Sequence, residues 1–237
     1  MMKDLFGRAI LDYQTNNDPQ DLITETSISE ADEMSVAYLF RSYSEMPELE
    51  RKALDLSKGK ILDVGCGAGS HSLYLQQERG FDVTAIDISS NAIEACRLRG
   101  IKKARNLDIM TVKDEQFDTI LLLMNGAGMC GRLKKIRSFL QKLNTLLTND
   151  GQVLVDSSDI IYMFDEDEDG GKWIPSDNEY YGEVDFKISY KGEKETSFEW
   201  MYVDFNTLQN AALDCGLSCE LVLEGEHYDY LARLARV

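Results

Sequence analysis

The nine residues 61–69 read Ile61-Leu62-Asp63-Val64-Gly65-Cys66-Gly67-Ala68-Gly69. An apolar run that leads into closely spaced glycines predicts a short buried strand and a tight turn. The pattern from Ser70 onward is helical, so the turn opens a helix. Backbone N–H groups at a helix start attract anionic groups, and glycine lets a ligand approach the backbone closely. This context predicts that the turn binds a ligand.

Strands and helices alternate after this turn. We expect helices over 70–79, 89–99 and 133–147 and strands over 82–87, 104–108, 117–124 and 152–156, with a turn at 149–151. Alternation with short connections indicates a parallel sheet that is covered on both faces. Two antiparallel hairpins are also predicted, over 183–202 and 218–236.

The segment before the turn is expected to form an N-terminal helical cap over 1–57, ahead of a domain over 58–237 with an insertion at about 160–203. Residues 1 to about 26 are polar and turn-rich, which predicts a loosely specified start. Ser29 with Asp32 resembles a capping box and predicts a helix. Its apolar face would comprise Met34, Ala37, Tyr38 and Phe40. Pro47 suits the first turn of a second helix through Leu56.

Composition limits the classes of partner. The net charge of −17 disfavours nucleic acid, which needs a basic surface, and favours a small molecule or a cationic group. No apolar run is long enough for a membrane span, and no signal peptide is visible. The five cysteines include no C-x-x-C pair, which predicts free thiols in the cytoplasm and no zinc site. Five consecutive acids at 165–169 predict an exposed loop, and we expect no metal.

The glycine spacing distinguishes between cofactor classes. A dinucleotide fingerprint, G-x-G-x-x-G, would place its third glycine at Ser70, whereas the glycine here is Gly69, and an acid, Asp63, precedes Gly65. A nicotinamide-dependent oxidoreductase is therefore the less favoured alternative. Asp87 ends the second predicted strand, where a carboxylate can accept hydrogen bonds from ribose hydroxyls. The competing interpretation of Asp87 is a helix cap or a loop acid.

These motifs carry a family resemblance. Residues 61–69 look like motif I of the class I S-adenosylmethionine-dependent methyltransferases, and residues 84–89 resemble their second motif. Leu107 and Asp108 resemble the position that contacts adenine. Residues 117–125 resemble the fourth strand, whose end meets methionine and substrate. The resemblance covers residues 58–156 well and the terminal hairpin loosely.

The resemblance implies an α/β fold with a Rossmann-like seven-stranded sheet in the order 3-2-1-4-5-7-6. Strand 7 would be antiparallel, helices would cover both faces, and the N-terminal helices and an inserted β-hairpin would be additions. The implied cofactor is S-adenosyl-L-methionine. Its expected contacts are Asp63, Gly65, Cys66, Gly67, Gly69, Asp87, Ile88, Leu107, Asp108 and Asn125. Arg41, on a predicted N-terminal helix, is a further candidate that could pair with the carboxylate of the cofactor, and the alternative is an ordinary surface arginine.

Candidates on the substrate side are fewer. Asn125 follows the fourth strand and His227 lies in the last turn, which makes them the candidates for catalysis. Asn125 also suits a plain turn, and His227 a surface position. Tyr38, Tyr162 and Trp173 are candidates for a substrate wall. The sequence thus predicts direct methyl transfer to a small molecule, with a non-catalytic regulator that binds S-adenosylmethionine as the alternative. It does not specify the acceptor or the oligomeric state.

Overall fold

A computed structural model of the chain describes residues 3–167, 169–174 and 179–237. Its strands are β1 (Leu22–Thr26), β2 (Ser29–Met34), β3 (Lys60–Val64), β4 (Asp82–Asp87), β5 (Ala104–Asn106), β6 (Phe117–Leu122), β7 (Leu147–Ser158), β8 (Glu183–Tyr190), β9 (Glu193–Lys194), β10 (Phe198–Met201), β11 (Leu217–Glu224) and β12 (Asp229–Arg236). Its α-helices are α1 (Leu5–Thr15), α2 (Glu48–Leu56), α3 (Ser70–Gln77), α4 (Ser90–Leu98), α5 (Ile136–Leu146) and α6 (Phe205–Leu213).

The main sheet has seven strands in the order β5-β4-β3-β6-β7-β12-β11. The strands from β5 to β7 are parallel, and β12 is antiparallel to both β7 and β11. This is the predicted order 3-2-1-4-5-7-6, with β12 as strand 7, so the predicted fold class is confirmed. The carboxyl ends of the parallel strands meet at one edge, which we call the carboxyl edge.

Helices cover both faces of the main sheet. Neighbouring residues of a strand point to opposite faces. On one face, Leu62 and Val153 pack against α5 and α6, and on the other Ile61 and Leu154 pack against α2 and α3. The strands therefore read as continuous apolar runs, because neither face is open to water.

A second, smaller sheet joins two distant parts of the chain. The predicted hairpin over 183–202 is present as β8 and β10, with the short β9 at its turn. β1 pairs with β8, with Ile23 opposite Ser189, and β2 pairs with β1. The sheet order is β10-β8-β1-β2. The N-terminal segment is thereby tied to the insertion rather than standing alone.

The helix predicted from Ser29 is wrong, because Ser29–Met34 is the strand β2. The Ser29 hydroxyl bonds that of Thr26 at 2.8 Å across the hairpin turn, and Asp32 accepts from the N–H of Glu33. Neither side chain makes the contacts of a capping box. Pairing with β1 determines this structure, and a short window of sequence does not contain that information.

The loosely specified start is also wrong, because residues 5–15 form α1 and residues 22–26 form β1. In α1, Leu5, Ala9 and Ile10 are fully buried. They share one helix face and pack against the core. This packing stabilises α1, which the sequence did not predict because the surrounding residues are polar and turn-rich.

Other elements match their predictions closely. α2 begins directly after Pro47, and the terminal hairpin is β11 and β12. The turn expected at 149–151 is instead an irregularity inside the longer strand β7, where its register with β6 shifts. The division into a cap over 1–57 and a domain over 58–237 stays a prediction. Within the described ranges, no helix is long and apolar enough to cross a membrane.

A substitution at Gly128 tests the contact between the second sheet and the loop after β6. A Cβ on Gly128 would lie 2.2 Å from the Trp200 indole of β10. We expect Gly128→Ala to lower the free energy of unfolding by about 1–3 kcal/mol, because the indole must move. Urea unfolding measures this. In a Trp200→Leu background the same change should cost much less, and an equal cost in both backgrounds would contradict the assigned contact.

Candidate functional site

The glycine turn lies between β3 and α3 at the carboxyl edge. Gly65 and Gly67 have φ angles of +68° and +52°, in the left-handed region that favours glycine. The N–H groups of Gly65 and Cys66 donate to the Ile86 carbonyl of β4, at 2.9 and 3.1 Å. A Cβ on Gly65 would lie 3.2 Å from Met129 Sδ. The turn is thus fixed to the neighbouring strand and leaves little room for a side chain.

The remaining predicted residues of this motif face inward. Asp63 is 2 % exposed and accepts a 2.6 Å hydrogen bond from the Ser72 hydroxyl of α3. Burial raises the pKa of the Asp63 carboxyl. The thiol of Cys66 lies 3.8 Å from that of Cys96 inside the core. Gly69 is the N-cap of α3. Asp63 therefore supports the start of α3 through its hydrogen bond with Ser72. Because the Cys66 side chain lies inside the core, only the Cys66 backbone is available to a ligand.

Asp87 connects the end of β4 to the glycine turn. Its Oδ2 accepts from the N–H of Gly67 at 2.9 Å and its Oδ1 from the N–H of Ser89 at 2.8 Å. Burial raises the pKa of this carboxyl. The next residue, Ile88, is 64 % exposed. Carboxylate and apolar side chain thus stand side by side at the carboxyl edge.

Leu107 and Asp108 follow the neighbouring strand β5. The N–H of Leu107 donates to the Asp87 carbonyl at 2.9 Å, which links the two strand ends. Leu107 is half-buried and Asp108 is exposed. Asp108 Oδ1 caps a short 3₁₀ turn by accepting from the N–H of Met110 at 2.8 Å. The predicted adenine-side residues therefore lie beside Asp87.

A buried charge cluster lies where the N-terminal segment meets α2 and α3. Glu50 of α2 is 4 % exposed, forms an ion pair with Arg41 and bonds His71 Nε2 at 2.6 Å. Burial opposes ionisation of Glu50, but its bonds to His71 and Arg41 hold the pKa of the carboxyl below its ordinary value. Arg41 also donates to the Tyr38 carbonyl at 2.6 Å and stacks on the Tyr38 ring.

Arg41 keeps one donor free. Its side chain is buried, and among the described residues its Nε has no hydrogen-bond partner. The predicted pairing of Arg41 with the carboxylate of a cofactor stays a prediction, since most of its guanidinium is bound to the protein. Sequence reasoning missed Glu50. Its position on the buried face of α2, with Ala53 and Leu54, was the available signal.

Helix α1 covers the glycine turn, which the sequence analysis also missed. The Asp4 carboxylate, just before α1, accepts from the Ser89 hydroxyl and the Asn91 amide, both at 2.9 Å. A Cβ on Gly67 would lie 3.8 Å from Ile10 Cδ1. The spacing of apolar residues within 5–10 was the signal for this helix. The N-terminal segment thus lies directly over the predicted ligand turn.

Asn125 lies just past the end of β6 at the carboxyl edge. Its Oδ1 accepts from the Ser157 hydroxyl at 2.8 Å, and its Nδ2 donates to the Met201 carbonyl at 3.3 Å. Its φ of +58° is left-handed. The side chain therefore ties β6 to β7 and to the second sheet. Any role for Asn125 toward cofactor or acceptor stays a prediction.

A buried acid supports the same turn. Asp156 of β7 is 8 % exposed, and its Oδ2 accepts from the N–H of Met124 at 3.0 Å. Its Oδ1 accepts from the N–H of Gly126 at 3.2 Å. The sequence analysis placed Asp156 in a strand and gave it no function.

His227 lies in the turn between β11 and β12 and is exposed. Asp229 is opposite Ser158 in the pairing of β12 with β7, so this turn lies at the carboxyl edge. The catalytic role of His227 stays a prediction.

The aromatic candidates of the insertion are exposed. Tyr162 is 50 % exposed and stacks on Tyr228, with ring centroids 5.0 Å apart. Trp173 is 71 % exposed, and its backbone N–H donates to the Asp165 carbonyl at 2.9 Å. Tyr38 is 44 % exposed beside the buried charge cluster. These rings are available to an acceptor, and their substrate role stays a prediction.

The acidic loop forms contacts within itself. Glu166 pairs with Lys172 at 2.7 Å, and Asp167 Oδ1 accepts from the N–H groups of Asp169 and Gly171. Glu168 lies outside the described residues. In the part of the chain that the structure describes, no group of His, Cys, Asp and Glu is placed to hold a metal ion.

The residues at the carboxyl edge fit S-adenosylmethionine. The glycine turn provides a cradle in which a Cβ at Gly65 would lie only 3.2 Å from Met129 Sδ. Asp87 provides a carboxylate for hydroxyl groups, and Arg41 provides for an anionic group a buried Nε–H that no described residue accepts. Ribose, carboxylate and methionine chain would each meet a suitable partner.

Comparison with known proteins gives the family. A family model described as a methyltransferase domain matches residues 37–189. A solved S-adenosylmethionine-dependent methyltransferase from Bacteroides fragilis, in complex with S-adenosyl-L-homocysteine, is 46 % identical. The match covers 99 % of this chain and 95 % of that one, with a TM-score of 0.90. The chain belongs to the class I S-adenosylmethionine-dependent methyltransferases. The cofactor of this methyltransferase is S-adenosylmethionine.

Curated relatives of the methyltransferase match over shorter stretches. Methyltransferase GfsG of Streptomyces halstedii is 28 % identical over 156 residues, which are 60 % of this chain and 56 % of the relative. The ubiquinone biosynthesis O-methyltransferase of Idiomarina loihiensis is 36 % identical over 72 residues, 27 % of this chain and 29 % of the relative. The chain therefore spans about half the length of the first and less than a third of the second.

The buried charge cluster leads to a stability prediction. Glu50→Ala should lower the free energy of unfolding by about 3–5 kcal/mol, because it leaves the Arg41 guanidinium buried and unpaired. Glu48→Ala, at an exposed site in the same helix, is the matched control and should cost less than about 0.5 kcal/mol. Urea unfolding at about pH 7 measures both.

The same pair of variants predicts a pH dependence. The pKa of Glu50 is lower in the folded chain than its ordinary value of 4.5. The advantage of wild type over Glu50→Ala is therefore complete above pH 4.5 and declines as the pH falls through the folded value. An advantage that does not change on acidification would contradict the assigned ionisation of Glu50.

Proposed function

We propose that this methyltransferase transfers the methyl group of S-adenosylmethionine to a small-molecule acceptor by direct displacement. The observation that carries the proposal is the convergence of three supports at the carboxyl edge: the glycine turn, Asp87 and the turn after β6. They follow three neighbouring strands, β3, β4 and β6, of the family fold. S-adenosylmethionine supplies an electrophilic methyl group on a positively charged sulfur.

The residues of the chain bind and orient the reactants. Gly65 and Gly67 would receive the methionine end, with Arg41 on its carboxylate. Asp87 would accept from the ribose hydroxyls, and Asp108 from the adenine amino group. Leu107 and Ile88 would pack on the ring. Alignment of this kind supplies much of the rate in a displacement that needs no covalent enzyme intermediate.

Proton transfer is needed only if the acceptor atom carries a proton that must leave. The exposed His227 at the carboxyl edge is the candidate base. Asn125 is better suited to positioning, because both polar atoms of its amide are bound within the protein. An acceptor with a free electron pair would require neither residue.

Three features support a small-molecule acceptor. The net charge of −17 opposes a nucleic-acid substrate. Tyr38, Tyr162 and Trp173 offer exposed aromatic faces of the size that suits a compact ligand. The relative from Idiomarina loihiensis is named for the biosynthesis of ubiquinone, a small molecule.

The free cysteines among the described residues support a cytoplasmic location.

Calorimetric titration tests the proposal against its alternatives. S-adenosylmethionine and S-adenosylhomocysteine should bind, and NAD should not. Binding of NAD alone would favour the oxidoreductase. Methyl-labelled S-adenosylmethionine, offered with a panel of small amines, phenols and thiols, should then yield a labelled product. Cofactor binding without any labelled product across the panel would favour a regulator.

Asp87 provides a test within the cofactor site. Asp87→Ala should weaken S-adenosylhomocysteine binding by about 1–3 kcal/mol, because ribose hydroxyls lose their buried acceptor. Asp82→Ala, at the exposed start of the same strand, should leave the affinity unchanged. Calorimetry measures both, and circular dichroism checks folding. A folded Asp87→Ala variant with wild-type affinity would refute the ribose role.

A further inference from the structure

The guanidinium of Arg41 is held by the protein at two of its three nitrogens. Nη1 donates to the Tyr38 carbonyl at 2.6 Å, and Nη2 donates to both carboxylate oxygens of Glu50. The third nitrogen, Nε, is enclosed, and no described residue accepts from its N–H. A buried charged donor without an acceptor is costly, and an acceptor atom on a ligand would remove that cost.

The surroundings of Arg41 are attached to the helix start that follows the glycine turn. The Leu39 carbonyl accepts from the Ser70 hydroxyl at 2.7 Å, and Glu50 lies 2.6 Å from His71 Nε2. Ser70 and His71 are the first two residues of α3. A helix start attracts anionic ligand groups, because free N–H groups point toward them there. An anionic group that binds at this helix start would therefore lie near Arg41.

Glu50 connects Arg41 to α3. An ionised carboxylate can only accept hydrogen bonds, so His71 Nε2 donates to the same carboxylate that binds Arg41. Because a guanidinium is planar and rigid, bonds at Nη1 and Nη2 also determine the direction of the Nε–H. The orientation of the free donor is therefore determined by Glu50 together with the Tyr38 carbonyl.

The Tyr38 ring covers this group on the solvent side. It stacks on the guanidinium, with its centroid 3.9 Å from Arg41 Cζ. Tyr38 is 44 % exposed, whereas Arg41, Glu50 and His71 are each less than 9 % exposed. An exposed side chain changes its rotamer rapidly, so the ring can move aside for a ligand that approaches Nε.

We propose that Glu50 is a positioning residue for cofactor binding, which orients Arg41 so that its Nε–H donates to the carboxylate of the methionine moiety. This inference rests on the proposed function, because it assumes that the carboxyl edge holds S-adenosylmethionine. Glu50 itself touches neither cofactor nor acceptor in this arrangement. His71 supports Glu50 from the first turn of α3, the helix that the glycine turn opens.

Two ligands that differ only in the carboxylate isolate this contact. S-adenosylhomocysteine has the carboxylate, and its decarboxylated analogue, S-adenosyl-3-thiopropylamine, lacks it. Wild type should bind S-adenosylhomocysteine about tenfold or more tightly than the analogue, because the analogue cannot accept the charge-assisted hydrogen bond. Calorimetry measures both affinities, and we call their ratio the carboxylate preference.

Two substitutions of Glu50 separate its position from its charge. Glu50→Asp keeps the charge but is shorter by one methylene, so it cannot hold Arg41 in the same place. It should reduce the carboxylate preference about three- to tenfold and change the affinity for the analogue less than about twofold. Glu50→Gln keeps the length and an acceptor atom but removes a charge that repels the ligand carboxylate. It should therefore reduce the preference less than Glu50→Asp does.

Controls distinguish positioning from a merely structural role. Glu48→Asp, at an exposed site in the same helix, should leave the carboxylate preference unchanged. Circular dichroism checks that each variant is folded. If Glu50→Asp does not fold, His71→Leu should reduce the preference, and His71→Gln, whose amide N–H can replace the Nε2 donor, should restore most of it.

The outcomes separate this inference from the proposed function. The positioning role is overturned by a folded Glu50→Asp variant with wild-type preference, by equal weakening of both ligands, or by a larger loss in Glu50→Gln than in Glu50→Asp. A wild type without any carboxylate preference, or equal preferences in the two His71 variants, would overturn it as well. Failure of wild type to bind either ligand would instead contradict the proposed function.

Discussion

The chain must change direction sharply where the parallel strands end, and this constraint governs the carboxyl edge. After β3 the reversal uses Gly65 and Gly67 in left-handed conformations, and their N–H groups donate to the Ile86 carbonyl and to the Asp87 carboxylate, respectively. After β6 the same left-handed geometry falls on Met124 and Asn125, which have side chains. Backbone hydrogen bonds to the Asp156 carboxylate replace what glycine supplies in the first turn. The two turns thus meet the same steric constraint in different ways, the first with glycine residues and the second with hydrogen bonds to a buried carboxylate.

The second sheet and α1 complete this edge from distant parts of the chain. Asp4, before α1, binds Ser89 at the start of α4, and Trp200 of β10 packs on Gly128 of the braced loop. Asn125 reaches the Met201 carbonyl next to Trp200. These contacts therefore connect α1 to the start of α4, and the second sheet to the loop after β6. Changes in the insertion are therefore expected to act on the loop after β6, which Trp200 and Asn125 connect to β10.

Local patterns predicted the strands of the main sheet and the glycine motif, and the family resemblance supplied the order of the strands. The strand that ends in Asp63-Val64-Gly65 and the acid at Asp87 carry information within a few residues, and the structure places them side by side. The helix expected from Ser29 failed because β2 is determined by pairing with β1, and β1 in turn pairs with β8, far away in sequence. Glu50 and Asp156 were missed for a related reason. Glu50 is one of three acids in α2 and Asp156 is one of two in β7, so the local sequence does not mark either of them as buried. Their burial follows from neighbours that only the tertiary fold brings together.

Charge balance connects the fold to its ligand. Among the described residues, the interior of the carboxyl edge contains the carboxyl groups of Asp63, Glu50 and Asp156, together with the Arg41 guanidinium and the His71 imidazole that contact Glu50. Ionising all three groups would leave an excess of negative charge in a region of low dielectric, where it is costly. A ligand with a sulfonium and an ammonium group relieves that excess, and a neutral thioether relieves less of it. The overall charge of −17 acts in the same direction at longer range, although salt screens it. A cationic ligand therefore suits the charge of this edge of the sheet better than a neutral ligand of the same shape.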